Sequence, residues 1–313
     1  MHSFKKIDPQ LTNSNSDKNL LKYFTNFKSF IEVTNKKFVL PECYSEFMEQ
    51  IENFEVYDSD VFILSYPKTG TTWAQEMVWC IGNNLEFSDT YITLRVPLLE
   101  HSSLIGNREN PESSYLPSLE YIRDLPHPRY IKSHLPWDLL PKQIRTGERK
   151  PKIICTFRDP KDTAVSMYHY CRTFYGFSGN FNDMMDLFLN GRIIFGPFPA
   201  HVLSFNEQRH RENVLVIKYA EMKSDLRSVI KQVIQFLDKN YSDDEISKLE
   251  KHLSFESMKN NPAVNDSHRF SHDGGKFLRA GIVGSYKSEM TPELIERFDK
   301  WILDNFGEMK TIF

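Results

Sequence analysis

The sequence predicts an α/β fold, a single domain with a central parallel sheet flanked by helices. Short apolar, β-favouring segments recur at residues 61–64, 129–134, 152–157 and 214–218. Segment 61–64 is apolar throughout, which indicates a strand buried on both faces. Helical patterns follow several of these segments, notably at 163–174 and 226–237. Strands that alternate with helices in this way imply parallel pairing.

Composition limits the classes of protein to which the chain can belong. Its 313 residues, 40% of them hydrophobic, suffice for one large α/β domain. We expect that domain to cover residues 18–313, after a polar, mobile segment at 1–17. The 39 basic and 42 acidic residues give a net charge of −3, so no broad surface for nucleic acid is expected.

The cysteines and apolar runs bear on the cellular compartment. The four cysteines form no C-x-x-C pair, and Cys80 and Cys155 lie in apolar runs, as small buried hydrophobic residues do. The first residues lack the apolar core of a signal peptide, and no run approaches the roughly 18 apolar residues that span a bilayer. We therefore expect a cytoplasmic protein without membrane insertion.

Three segments precede the second predicted strand. Residues 30–33 and 38–40 flank a polar stretch and predict a hairpin, and residues 44–53 predict a helix. Residues 101–128 are rich in Pro, Ser and Glu, which predicts a long irregular connection of the kind that shapes a site.

The loop after the first central strand suits an anion. Lys68, Gly70 and threonines at 69, 71 and 72 lead into a helical pattern that begins at Trp73. A helix N-terminus offers unpaired N–H groups and a positive dipole end, so this P-loop-like unit predicts a phosphate or sulfate site. Lys68 precedes the glycine, unlike a Walker A lysine, which disfavours Mg-dependent nucleotide hydrolysis. Gly and Thr alone would equally suit an ordinary turn.

Chemically versatile residues follow the other predicted strands. His134 ends the second strand, Arg158 follows the third and Tyr219 follows the fourth. Ligands of parallel sheets bind beyond the carboxyl ends of the strands. We therefore expect these three side chains to converge with the Lys68 loop.

The C-terminal region contains the segment 255–261, then a glycine-rich stretch, and finally a predicted helix at 292–305. Four glycines within residues 274–284 predict a loop that folds closely over another group.

Several of these segments resemble the signature segments of the cytosolic sulfotransferases, and the likeness runs from about residue 38 to the end of the chain. They are Tyr66-Pro67-Lys68-Thr69-Gly70-Thr71-Thr72-Trp73, Lys132-Ser133-His134-Leu135-Pro136, Arg158-Asp159-Pro160-Lys161-Asp162 with Ser166, and Arg279 with Gly281 and Gly284. The resemblance implies the donor 3'-phosphoadenosine 5'-phosphosulfate (PAPS). Its sulfuryl group would pass to a hydroxyl or amine of a small lipophilic acceptor such as a phenol, sterol or retinoid, leaving the product PAP. Segments 259–265 and 300–305 look closer to arthropod members.

The resemblance also implies roles for individual residues. His134 matches the general base for in-line transfer, and the implied catalytic set is His134, Lys68, Lys132 and Ser166, of which Lys132 and His134 also face the acceptor. The implied cofactor-binding residues are Lys68, Thr69, Gly70, Thr71, Thr72, Trp73, Arg158, Ser166, Tyr219, Phe255, Met258, Arg279 and Gly281. Trp73 and Phe255 match an adenine sandwich, whereas Arg158, Ser166 and Arg279 match the binders of the 3'-phosphate. No metal is implied.

The chain departs from the family pattern at a few positions. Ala280 replaces the usual Lys, and Ser285-Tyr286 replaces Asp-Trp. Pro292 stands where the family's dimerisation pattern has Val, which argues against the usual homodimer. These departures keep open a catalytically inactive protein that binds nucleotide and lipophile on the same fold. A nucleotide kinase is disfavoured by the absent Walker A pattern.

Two further patterns have ordinary explanations. Aromatic residues between 174 and 198 could line an acceptor pocket, although most phenylalanines simply build core. They are Phe174, Tyr175, Phe177, Phe181, Phe188, Phe195 and Phe198. His268 and His272 have the spacing of a metal pair, but no third ligand accompanies them.

Overall fold

Two β-sheets and surrounding helices form the protein in its computed structural model, which describes residues 3–8, 10–105, 118–265 and 281–313. The strands are β1 (Phe4–Ile7), β2 (Phe30–Val33), β3 (Phe38–Pro41), β4 (Val61–Ser65), β5 (Tyr130–Ser133), β6 (Lys152–Phe157) and β7 (Val214–Lys218). The helices are α1 (Asn15–Tyr23), α2 (Tyr44–Glu52), α3 (Thr71–Gly82), α4 (Ile92–Arg95), α5 (His101–Ile105), α6 (Ser118–Arg123), α7 (Lys142–Thr146), α8 (Pro160–Phe174), α9 (Phe181–Leu189), α10 (Phe198–Asn206), α11 (Tyr219–Ser224), α12 (Leu226–Phe236), α13 (Asp243–His252), α14 (Phe255–Asn260) and α15 (Pro292–Phe306).

The larger sheet is parallel, with strand order β5-β4-β6-β7, which confirms the predicted α/β architecture. In its register Leu64 of β4 lies between Ser133 of β5 and Cys155 of β6. The chain therefore leaves β4 for a neighbour on one side and then reaches a neighbour on the other, and such a switch point is where parallel sheets bind ligands. All four carboxyl ends lie at the same edge.

Both faces of this sheet are covered, because consecutive residues of β4 point to opposite sides. Phe62 and Leu64 belong to a core that includes α8 and α10. Val61 and Ile63 belong to a second core with α3 and α12. The strands are thus fixed on two sides, which gives the loops at their ends a rigid support.

The smaller sheet is antiparallel, with strand order β1-β2-β3. Its β2-β3 pair confirms the predicted hairpin, with Val33 opposite Phe38. The sequence did not predict β1, because within Phe4–Ile7 only Ile7 is buried and the apolar pattern is weak. The domain boundary at residue 17 stays a prediction.

The prediction of an irregular connection over residues 101–128 is wrong in part, because α5 and α6 lie within it. In α6, Leu119 and Ile122 have helical spacing and are buried. The hydroxyl of Ser118 donates to the Leu99 carbonyl oxygen at 2.9 Å, which ties the start of this helix to the chain before β5. Residues 106–117 lie outside the described part of the chain.

Within the described ranges, no helix has both the length and the apolar character that a bilayer crossing requires.

Candidate active site

The loop between β4 and α3 adopts left-handed backbone conformations at two positions. Gly70 has φ of 106°, and a Cβ placed on it would lie 2.8 Å from Cδ2 of Tyr219. Lys68 also adopts a left-handed conformation, with φ of 70°. Non-glycine residues in this region carry strain that is often found at functional sites. The loop therefore brings the Lys68 main chain and the N-terminus of α3 together at the edge of the sheet.

Threonine hydroxyls stabilise this loop internally. Thr71 Oγ1 lies 2.5 Å from Ser65 Oγ, so the first residue of α3 is joined to the last residue of β4. The hydroxyl of Thr69 donates to the Tyr66 carbonyl oxygen at 2.7 Å and lies 3.0 Å from Thr156 Oγ1. Thr69 is 1% exposed, so the structure does not bring this side chain to the cavity described below.

His134 follows β5, and its ring has a defined tautomer. Its Nδ1 lies 2.9 Å from the Ser65 carbonyl oxygen, which can only accept a hydrogen bond. Nδ1 therefore carries the hydrogen, and Nε2 of the neutral ring has a lone pair that can accept a proton. The ring of Phe195 lies edge-on at 5.7 Å and limits movement on one side.

The surroundings of His134 favour the neutral ring. Burial is the largest cause that holds its pKa well below the ordinary 6.5, and the positive charge of Lys132 acts in the same direction. The bond from the ring to Ser65 opposes this lowering, and Lys68 adds a smaller contribution to it. The imidazole is consequently a base that stays unprotonated at neutral pH.

Arg158 follows β6 and contacts both the loop and β7. Its Nη1 donates to the Lys68 carbonyl oxygen at 3.1 Å, which holds the strained Lys68 backbone. Its guanidinium carbon lies 4.3 Å from the centroid of the Tyr219 ring. Asp162 Oδ2 lies 3.9 Å from Nη2. The guanidinium is thus oriented before any ligand is considered.

Aromatic side chains line part of the cavity that these residues surround. Trp73 of α3 and Phe255 of α14 both line the cavity, and Lys223 Nζ lies 5.7 and 5.8 Å from their respective ring centroids. Gly281 has φ of 61°, and a Cβ on it would lie 2.5 Å from Cδ2 of Phe255. The backbone at Gly281 therefore lies directly against this ring.

One cavity collects most of the site residues that the sequence predicts. Those that line it are Lys68, Gly70, Thr71, Thr72, Trp73, Lys132, His134, Arg158, Ser166, Tyr219, Phe255, Met258 and Gly281. Thr69 is not part of this lining, and its contact with the cofactor stays a prediction. Arg279, Ala280 and the histidines at 268 and 272 lie outside the described residues.

Two side chains that line this cavity each have a buried donor without a partner among the described residues. Within the described chain, Trp73 Nε1 and Arg158 Nε have no hydrogen-bond partner. Native proteins seldom leave buried donors unpaired, so such donors in a cavity indicate ligand contacts. Together with the α3 N-terminus and two aromatic walls, these donors fit an adenosine that carries phosphate groups.

Two tyrosines add further aromatic surface to the cavity. Tyr170 and Tyr175 line it, with ring centroids 5.1 Å apart and nearly perpendicular planes. Lys68 Nζ lies 4.7 Å from the Tyr170 ring centroid. The cavity lining does not include Phe188, Phe195 or Phe198, which are fully buried in the core. Of the seven aromatic residues between 174 and 198 that the sequence suggested for an acceptor pocket, Tyr175 alone belongs to the described lining.

Sequence reasoning missed three residues that support the site. Glu100 and His201 contact the main chain of His134 from 34 and 67 residues away. Asp162 accepts hydrogen bonds from the backbone N–H groups of Gly284 and Tyr286 and from the Ser285 hydroxyl. Such distant contacts have no periodicity that could reveal them. Asp162 belongs to a signature segment, but its role there was not foreseen.

A cluster outside the signature segments joins Glu76, Cys80 and His252 on α3 and α13. Glu76 is fully buried and is paired at 2.7 Å with both Arg95 Nη2 and His252 Nε2. The arginine already neutralises the carboxylate, so this cluster is explained as an ion pair that joins the two helices.

The family of the chain follows from its sequence matches. Residues 58–310 match the sequence profile of the sulfotransferase domain. The chain is 45% identical over 275 residues to luciferin sulfotransferase of Photinus pyralis, covering 82% of this chain and 74% of that protein. It is 34% identical over 295 residues to amine sulfotransferase of Oryctolagus cuniculus, covering 90% of each chain. The first of these matches agrees with the expected closeness to arthropod members.

Solved structures agree with these matches. A crystal structure of retinol dehydratase in complex with androsterone and the inactive cofactor PAP superposes with a TM-score of 0.88. It is 29% identical and covers 97% of this chain and 96% of that chain. A second structure, of retinol dehydratase with retinol and PAP, has a TM-score of 0.87 at 30% identity, with the same coverage.

Proposed function

This chain belongs to the sulfotransferase family, and on that basis we propose how its own residues move a sulfuryl group from PAPS to a small lipophilic acceptor. The protein is a PAPS-dependent sulfotransferase, and PAP is its second product. The observation that carries the residue assignment is that His134, whose Nδ1 bond to Ser65 leaves the lone pair on Nε2, lines the same cavity as the Lys68 loop.

We assign the donor to the cavity wall formed by α3, the residues Arg158 and Ser166 after β6, and α14. The α3 N-terminus and the Lys68 loop would hold the 5'-phosphosulfate, because unpaired N–H groups and a cation favour an anion. Arg158 and Ser166 would hold the 3'-phosphate, with the guanidinium already oriented by Lys68 and Tyr219. Trp73 and Phe255 would lie on the two faces of adenine.

When bound, PAPS supplies a sulfur whose bond to the 5'-phosphate oxygen breaks as the acceptor oxygen bonds to it. His134 Nε2 takes the proton from the acceptor hydroxyl. Lys68 and Lys132 place positive charge beside the transferring group, which stabilises the charge that develops on the leaving oxygen. Arg158 and the aromatic wall keep the donor in one orientation, so that the acceptor can approach in line.

The acceptor class follows from the wall opposite the donor. Tyr170 and Tyr175 line the same cavity as His134, and their large ring faces suit a flat or lipophilic molecule with one hydroxyl or amine. Relatives with known ligands point the same way, since retinol dehydratase has been crystallised with androsterone and with retinol. We propose phenols, sterols and retinoids as the acceptors to try first.

The inactive alternative has no observation in its favour, because the described residues include a base and two lysines around one cavity. The departures at Ser285 and Tyr286 also have local explanations. Ser285 donates to Asp162, and the Tyr286 ring lies 4.8 Å from Lys161 Nζ. Two expectations stay predictions. One is that Pro292 argues against the family's usual homodimer, and the other is that the protein is cytoplasmic.

The test is a transfer assay with PAPS labelled on sulfur and a panel of phenols, sterols, retinoids and amines. We expect labelled product with at least one lipophilic hydroxyl compound, and none with heat-denatured protein. Tight PAP binding by calorimetry without transfer to any acceptor would instead support the inactive binding protein.

A further inference from the structure

The main chain of His134 is held at both its N–H and its carbonyl oxygen by two side chains that are absent from the described lining of the cavity. Its N–H donates to Glu100 Oε1 at 2.6 Å. Its carbonyl oxygen lies 2.8 Å from His201 Nε2, which must therefore carry a hydrogen. Together with the ring bond to Ser65, these contacts fix the position of the backbone and the rotation of the imidazole.

Glu100 is itself rigidly placed. Its Oε2 accepts from the Ser133 hydroxyl at 2.8 Å, and the residue is 1% exposed. The chain just before it is paired to β5, because the Lys132 N–H donates to the Pro97 carbonyl oxygen at 2.9 Å and the Leu99 N–H donates to that of Lys132 at 2.8 Å. One carboxylate thus bridges the last residue of β5 and the base that follows it.

Burying Glu100 and His201 is unfavourable for the free energy of folding, so stability alone does not account for their contacts with His134. A buried carboxylate loses its hydration, and burial raises the pKa of Glu100 to about 7 despite the donors that face it. His201 is fully buried, and its Nδ1 has no hydrogen-bond partner within the described residues. An apolar pair would avoid both costs. Both side chains contact the His134 main chain, and a role in placing His134 would account for their burial.

We propose that Glu100 is a positioning residue for the base, acting with His201 to hold the His134 imidazole in the cavity, where it can reach the acceptor hydroxyl. This inference rests on the proposed function, because it assigns the base role to His134. Glu100 is absent from the described lining of the cavity, so it acts through His134 and not on the ligands. Its loss is expected to lower kcat and to leave donor binding unchanged.

The test uses Glu100→Ala and Glu100→Gln with labelled PAPS and the most active acceptor of the panel. Glu100→Ala removes both hydrogen bonds, and a misplacement of the base by about 1 Å is expected to lower kcat by about 100-fold. Gln keeps the shape, with an oxygen for the His134 N–H and an amide that can donate to Ser133. It is expected to retain kcat to within about tenfold, the worth of one hydrogen bond. The Kd of PAP should change by less than about twofold in either variant, since the loss of kcat arises at the base.

A double-mutant cycle with His134→Ala separates positioning from general destabilisation. If Glu100 acts through His134, adding Glu100→Ala to His134→Ala leaves the residual rate unchanged. An equal further loss in that background, or a weakened Kd for PAP, overturns the inference and leaves the proposed function standing. Full turnover in His134→Ala alone overturns both the inference and the assignment of His134 as the base. If Glu100→Ala does not fold, Glu100→Asp enters the same cycle, because its shorter carboxylate cannot bridge the two donors.

Discussion

The carboxylate of Asp162 accepts a hydrogen bond from the backbone N–H of Gly284 at 2.8 Å, which ties the first turn of α8 to the chain after residue 280. The same carboxylate accepts from Ser285 and Tyr286 and lies near Arg158. Asp162 is 1% exposed, so these are buried contacts of a charged group. The segment that lies against Phe255 is thus connected to the guanidinium assigned to the 3'-phosphate.

Asp162→Ala is therefore expected to weaken PAP binding. Without the carboxylate, Gly281 to Tyr286 lose their anchor and Arg158 loses a neighbouring charge. We expect the Kd of PAP to rise by about tenfold, equivalent to about 1.4 kcal/mol. Isothermal titration calorimetry measures this change. Asp304→Ala, at an exposed position of α15, is the control, and an equal effect of both variants would rule out a specific role for Asp162.

Two glycines in that segment form a matched pair. Gly281 and Gly284 have φ of 61° and 77°, so alanine carries a similar backbone cost at each, about 1 kcal/mol. They differ in surroundings, because a Cβ at 281 would lie 2.5 Å from Phe255 Cδ2, whereas one at 284 would have only Lys287 Cε at 3.9 Å.

Gly281→Ala is expected to raise the Kd of PAP at least tenfold more than Gly284→Ala, because only the first change displaces a ring that lines the cavity. Fluorescence or calorimetric titration with PAP distinguishes them. Equal affinities in the two variants would show that Phe255 does not depend on Gly281.

Arg158→Lys tests the assignment of the 3'-phosphate. Lysine keeps the charge but loses the fork of donors, and a hydrogen bond to a charged group contributes about 1.5–3 kcal/mol. We expect PAP to bind about 10- to 100-fold more weakly, whereas 5'-AMP, which lacks the 3'-phosphate, should bind nearly as before. Equal weakening of both ligands would mean that Arg158 acts by supporting the Lys68 backbone.

The low pKa of His134 predicts the pH dependence of transfer. The base acts in its neutral form, so activity is present above the pKa of the folded protein and is lost as pH falls through it. Because burial and Lys132 hold this pKa well below 6.5, kcat/KM for the acceptor should show no acid limb down to about pH 6.5.

Lys132→Met removes one of the charges that lower this pKa, so the acid limb should move to higher pH. Rates are compared after normalisation, since Lys132 also stabilises the transferring group. Lys150→Met, at an exposed position before β6, is the charge-matched control. An acid limb that is the same in both variants would contradict the assignment of the base.

The parallel sheet could be predicted because its strands carry strong local signals. β6 and β7 have the predicted bounds, and β4 is longer by one residue, since continuous apolar runs ending at polar residues mark buried strands. The convergence of Lys68, His134 and Arg158 followed from topology alone, because parallel strands bring their carboxyl ends together.

Other elements have weaker or overlooked signals. α9 and α13 begin with capping boxes at Asn180 and Ser242, so a search for helix starts could have found them. β1 could not be found, because its strand is mostly exposed and depends on pairing with β2.

The residues that hold His134 in place could not be predicted from the sequence. Glu100 and His201 meet His134 only after the chain has folded, and a glutamate or histidine at those positions has many ordinary explanations. Thr69 shows the converse, since its place in a signature segment predicted a ligand contact, whereas its hydroxyl stabilises the loop.

The most direct test of the account is His134→Ala, assayed for both PAP binding and sulfuryl transfer. Because we assign the imidazole to the acceptor and not to the donor, the Kd of PAP should stay close to that of the unaltered protein. Transfer from labelled PAPS should fall by about 100- to 10,000-fold, the usual contribution of a general base. Turnover that persists at the original rate would contradict the claim that His134 removes the acceptor's proton.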